Sequence, residues 1–224
     1  MRISRLLLLI VLLAGAASPA AARRPEECAA GYAYVGAESP TRAYGVSATL
    51  TTMSTAVVQT GHVAAWIGVG GPALGPGDSD EWLQAGIARD AGGNDVLYYE
   101  FKRPGDSTAT YVPLDRAVIG EAYDFVVYER ATEPDTWRVQ VDGMKVGDPI
   151  SLPGSHGAFQ PIATAENWDG GVAGTCNDYR FDFANLALRT QYGGLWQAFQ
   201  LTRVLRDPAY SMRLRASGFV ASSR

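Results

Sequence analysis

Short runs of alternating apolar and polar residues, closed by Gly, Pro, Asn or Asp and recurring about every ten residues, limit the possible folds more than any other feature. Side chains alternate faces along a strand, so a run of period two bounded by turn residues reads as a half-buried strand. Such runs occupy residues 31–36, 43–53, 61–69, 81–88, 95–102, 109–114, 123–130, 137–141, 144–150, 159–166 and 179–188. Asp142-Gly143, between two of them, is a strong signal for a two-residue hairpin turn. No helical stripe of 3.6-residue period competes, and only 195–205, LWQAFQLTRVL, fits either period and stays open. The pattern predicts an all-β sandwich or barrel: one domain over 23–205, with 206–224 a last strand or a tail.

Residues 1–22, MRISRLLLLIVLLAGAASPAAA, combine a basic start, an apolar run and a small-residue site at Ala20-Ala21-Ala22, which reads as a signal peptide cleaved after Ala22. The apolar run is shorter than the roughly 20 residues of a comfortable membrane span. A secreted or extracytoplasmic, monomeric chain with no membrane attachment after cleavage is therefore expected. Removing Arg2 and Arg5 from the 19 basic residues leaves 17 against 23 acidic ones, a net charge of −6. That balance offers no basic footprint for nucleic acid. Cys28 and Cys176 are the only cysteines, and an oxidising compartment favours one disulfide between them over two free thiols.

Candidate chemistry begins with residues 64–86, AAWIGVGGPALGPGDSDEWLQAG, two strands joined by a Gly/Pro-rich loop. By parity Ile67 and Val69 oppose Trp66 and Gly68, and Leu83, Ala85 and Ile87 oppose Trp82, Gln84 and Gly86. Tyr98 and Glu100 oppose Leu97, Tyr99 and Phe101, while Glu166 shares its face with Thr164 and Trp168. With Leu83, Tyr99 and Ala165 turned to the core, one outer face gathers Trp66, Trp82, Gln84, Tyr98, Glu100, Glu166 and Trp168. Aromatic walls around a few convergent polar groups are how ligand grooves are built. Parity alone leaves the tryptophans open between groove wall and packed core.

Other chemistries lack their residues. His62 and His156 sit in no His/Cys cluster of zinc-ligand spacing, and no GxSxG elbow is present. The glycines of GVGG have no Lys after them to hold a phosphate. Asp78, Asp80 and Glu81 read as a solvated acidic turn before they read as a calcium site. No metal and no cofactor is expected.

The segments AWIGVGG, WLQAGI, YYEF with a proline after two further residues, and ATAE follow one another over about 64–168, in an order and at intervals that resemble the glutamic peptidases, the eqolisin family. The resemblance implies a concanavalin-like sandwich of two curved antiparallel sheets, a jelly roll, with an active groove on the concave face. It also implies that Gln84 and Glu166 stand at the family's catalytic glutamine and glutamate, and Glu100 at the acid of its WYE motif. Trp66, Trp82, Tyr98, Glu100 and Trp168 would then bind a polypeptide substrate. Two places depart from the family pattern: Gly70-Gly71 stands where the family has an acid, and Asn167-Trp168-Asp169-Gly170 after the glutamate is expected to break the strand.

These residue types suit amide hydrolysis. A carboxylate can take a proton from water as it attacks a carbonyl and return it to the leaving amine. A glutamine N–H can steady the developing oxyanion. The competing reading is a non-catalytic module binding carbohydrate or peptide, supported by TWRVQVDGMKVG at 136–147, which is similar to the hairpin of laminin-G-like domains. A purely structural surface protein, with no groove, is the third.

Overall fold

The computed structural model describes residues 31–170, 176–201, 203–207 and 210–223. The expected signal segment and Cys28, hence the expected Cys28–Cys176 bridge, lie outside the described residues. In chain order the strands are β1 (Tyr32–Glu38), β2 (Gly45–Thr52), β3 (Val57–Val58), β4 (His62–Gly71), β5 (Glu81–Asp90), β6 (Val96–Lys102), β7 (Thr110–Arg116), β8 (Ala122–Glu129) and β9 (Thr136–Val141). They continue with β10 (Met144–Ser151), β11 (Pro161–Trp168), β12 (Asn177–Asp178), β13 (Arg180–Leu188), β14 (Gln197–Ala198), β15 (Arg203–Arg206), β16 (Ser211–Arg215) and β17 (Gly218–Ser222).

One sheet runs β15-β1-β11-β4-β5-β6-β7 and the other β10-β9-β8-β2-β13-β17-β16, with β14 against β13 and a small β3-β12 ribbon apart. Neighbouring strands pair antiparallel throughout, so the fold is an all-β sandwich of the jelly-roll kind. The β9–β10 hairpin turns on Asp142 (φ 50°) and Gly143 (φ 76°), both in the left-handed region that a primed two-residue turn demands.

Alternation builds the core. Val63, Ala65, Ile67 and Val69 of β4, Leu83, Ala85 and Ile87 of β5, and Tyr99 and Phe101 of β6 point inward. They meet Leu50 of β2, Phe125 and Val127 of β8, Trp137 of β9, and Phe181 and Phe183 of β13 from the second sheet. Each fully buried side chain of this size contributes about 1.5–3 kcal/mol. Trp137, fully buried, places its indole N–H on Ser155 Oγ at 2.8 Å, so burying its one polar atom costs little.

Three stretches are settled by tertiary partners. The open stretch 195–205 supplies β14 and the start of β15, strands that pair with β13 and with the sheet edge at β1. The end of the chain inserts β17 between β13 and β16, where Phe219 stacks on Phe183 with ring centroids 4.4 Å apart. The run Asn167-Trp168-Asp169-Gly170 ends β11 as expected, though only after Trp168. Buried Asn167 donates to Tyr210 Oη at 2.8 Å and accepts from Asn177 Nδ2 at 2.8 Å, so its amide has partners without leaving the strand. The strand ends one residue later at Asp169, whose φ of 53° turns the chain away.

Candidate functional site

The outer face of the first sheet is laid out in cross-strand rows. Tyr34, Glu166, Ala64 and Ala88 lie in one; Gly36, Thr164, Trp66, Gly86 and Tyr98 in the next; Ile162, Gly68, Gln84, Glu100 and Tyr111 in the third. Glu166 on β11 and Gln84 on β5 thus flank β4, level with Ala64 and Gly68. Glycine is obligatory in this floor. A Cβ at Gly86 would stand 1.9 Å from the Ala65 carbonyl oxygen, and one at Gly68 would stand 2.8 Å from that of Leu83.

Above the floor lies a cavity of about 550 Å³, walled by Tyr32, Tyr34, Trp66, Trp82 and Ile162, with Pro72 and Leu74 of the β4–β5 loop at its lip. A smaller hollow of about 170 Å³ adjoins it, bounded by Asp90, Tyr98 and Tyr111. His62, Gln84, Glu100 and Glu166 border both.

Glu166 is held at each oxygen. His62 Nε2 lies 2.8 Å from Oε1, and the indole N–H of Trp66 donates to Oε2 at 3.1 Å. Burial works against a charged His62 imidazole, but the hydrogen bond to Glu166 and the charges of Glu166, Asp90 and Glu100 outweigh it and raise its pKa above the ordinary value. Gln84 Nε2 is 3.4 Å from both Tyr98 Oη and Glu100 Oε2, beyond the usual N–H···O range, so these bonds are weak enough for a ligand oxygen to displace. Burial raises the Glu100 pKa, the charge of Glu166 adds to the rise, and His62 offsets part of it.

Of the aromatic residues expected in the groove, Trp66 (8 % exposed) belongs to a small outer apolar cluster with Ala64, Tyr98 and Ile162 while also facing the cavity. It is wall and packing at once. Trp82 lines the cavity with Lys102 Nζ 5.4 Å from its ring centroid. Trp168, expected in the groove, lines neither cavity; it stands beside them, 38 % exposed, its ring tilted against His62 at 5.4 Å between centroids. Tyr98, expected to touch substrate, is 2 % exposed beneath Tyr111 and meets the site through its hydroxyl beside Gln84.

Sequence reasoning passed over His62, although parity signals it: it precedes Ala64 by two and Trp66 by four, on the same face. Tyr32 and Tyr34 were beyond such reasoning. They enter because β1 pairs with β11, placing Tyr34 opposite Glu166 and Tyr32 opposite Trp168.

No protein-family profile and no curated protein sequence matches the chain. Solved structures do. A scytalido-glutamic peptidase with a transition-state analogue inhibitor superposes with a TM-score of 0.56 at 14 % identity, covering 86 % of this chain and 97 % of the peptidase. The same peptidase with a peptide-based transition-state analogue gives 0.56 at 16 % identity, covering 86 % and 96 %. SCP-B, a member of the eqolisin family in complex with the tripeptide Ala-Ile-His, gives 0.54 at 15 % identity over 86 % and 96 %. At these identities the likeness establishes the fold.

Proposed function

We propose that the chain is a peptide-bond hydrolase in which Glu166 activates water and Gln84 steadies the oxyanion. One observation carries the reading: an amide donor and a carboxyl from strands on either side of β4 border the same aromatic-walled cavity on an open sheet face. The fold shared with glutamic peptidases supports it. In the reaction a water oxygen bonds to the peptide carbonyl carbon as Glu166 takes one of its protons. The carbonyl electrons move onto oxygen, where Gln84 Nε2 donates a hydrogen bond. The oxyanion then collapses, the C–N bond breaks, and Glu166 returns the proton to the departing amine. The apolar walls suit a side chain of an extended peptide. Export after removal of residues 1–22, with Cys28 joined to Cys176, belongs to the same reading.

The test is cleavage of a denatured protein substrate between about pH 3 and pH 8 by the purified chain and by Glu166→Gln and Gln84→Ala. Loss of a general base costs about 10²–10⁴-fold, and loss of an oxyanion donor about 10²–10³-fold. Undiminished cleavage by either variant refutes the dyad.

A second reading is favoured by the rim. Tyr32 (57 % exposed) and Trp168 (38 %) stand side by side with ring centroids 6.3 Å apart, a surface on which a sugar ring stacks as readily as a peptide. A glycan- or peptide-binding module predicts saturable binding that weakens in Trp168→Ala, with no turnover by the parent chain.

A further inference from the structure

We infer that His62 is a positioning residue for Glu166, holding the carboxyl through an ion pair that forms only while the imidazole is protonated, so that His62 sets part of the pH range of catalysis. The inference rests on the hydrolase reading and adds a third member to the Gln84 and Glu166 pair.

The two donors on Glu166 differ in kind. The Trp66 indole N–H is present at every pH. His62 carries a charge only below its own titration, and its Nε2 stands 2.8 Å from Oε1. The ring is fixed on one side by Trp168, and 26 % of the side chain is open to solvent, so protons can exchange with water. The groups facing it are Glu166 and Trp168 from β11, Asp90 from β5 and Glu100 from β6, with Tyr32 of β1 on the Trp168 ring. Its ionisable partners of opposite charge are all acids, and His62 is the one basic residue among the described residues lining either cavity. The setting therefore favours the imidazolium, in keeping with its raised pKa.

The ion pair lasts only while the imidazole keeps its proton. Catalysis that draws on it falls along an alkaline limb, which lies above the ordinary histidine value of about 6.5, to the level a neutral donor sustains.

Two variants and one spectroscopic titration test this. His62→Gln keeps an N–H donor without a charge and is expected to show, at every pH, the lower rate the parent reaches once its imidazole is neutral, and so to lose the alkaline limb. His62→Phe keeps a ring against Trp168 without a donor and is expected to lower kcat about tenfold or more, as removing an orienting partner commonly does, with KM little changed. Independently of turnover, the NMR titration midpoint of His62 is expected to fall in Glu166→Gln. It remains readable if His62→Phe does not fold. Cleavage abolished by Glu166→Gln yet unaltered in rate and pH profile by His62→Gln overturns the role of His62 and leaves the hydrolase standing. An unmoved His62 midpoint in Glu166→Gln overturns the ion pair. A parent chain that cleaves nothing, with a His62 midpoint that still moves, overturns both as catalytic claims while identifying the hydrolase reading as the part at fault.

Discussion

Glu81 opens β5 with the inward parity of Leu83 and Ala85, so its carboxyl points into the sandwich. It is 0 % exposed, and its oxygens have no well-aligned hydrogen bond, with only the Ser79 side chain close enough to favour the charged form. Burial is the first cause that raises its pKa, and the charge of Asp135 adds to it, while nearby Ser79 works the other way. A folded-state value above the unfolded one means that the native state binds the extra proton. The resulting stability is fully present below the unfolded value of about 4.5 and is lost as pH rises through the folded value.

Glu81→Gln keeps the shape and removes the charge, and should therefore be nearly neutral at about pH 4 and stabilising at about pH 7. The amide stays as short of partners as the carboxyl, so the gain at the higher pH is the extra cost of the buried charge alone, about 1.4 kcal/mol for each pH unit by which the folded-state value lies above the unfolded one. In a chain of this size it corresponds to roughly 2–4 °C of Tm per kcal/mol. Urea unfolding of both proteins at several pH values measures it, with the midpoint and the slope fitted separately. Equal stability gains at pH 4 and pH 7, or a loss at both, would show that the carboxyl is not desolvated as described.

Three further substitutions follow from the same face. Trp66→Phe removes the N–H on Glu166 Oε2 at 3.1 Å; a bond to a charged partner contributes about 1.5–3 kcal/mol, so kcat/KM should fall roughly ten- to a hundredfold in peptide cleavage. Gly86→Ala forces a Cβ to within 1.9 Å of the Ala65 carbonyl oxygen and should cost about 1–3 kcal/mol in urea unfolding, as overpacking does. Asn167→Ala removes the two buried hydrogen bonds that tie β11 to Tyr210 and Asn177 and should destabilise by about 1–3 kcal/mol, whereas the exposed Met144→Ala should fall within about 0.5 kcal/mol of the parent.

Much of this architecture was legible because a half-buried strand writes its burial into its parity. Ile67, Leu83, Tyr99 and Ala165 turn inward as their alternation requires, and Trp66, Gln84, Tyr98 and Glu166 turn outward. Which outward residues meet is a matter of strand order. That β11 pairs with both β1 and β4 brings Tyr34 and His62 to Glu166 from far along the chain, and no local pattern encodes it. The turn run after Glu166 ends the strand at Asp169 rather than sooner, because Tyr210 and Asn177, partners supplied by the C-terminal part of the fold, satisfy the Asn167 amide within the strand. In 195–205 periodicity was silent because only short pieces of it pair, and the choice fell to sheet edges.

The central claim is that Gln84 and Glu166 act on one carbonyl. A crystal structure of the chain with a peptide carrying a tetrahedral, dihydroxylated mimic of the attacked carbonyl measures this most directly. The account predicts one hydroxyl within about 3 Å of Gln84 Nε2 and the other at the same range from a Glu166 oxygen, with the peptide running along the outer face of β4. A mimic bound with either residue out of reach, its carboxyl or amide still closed on His62 and Glu100, would contradict it.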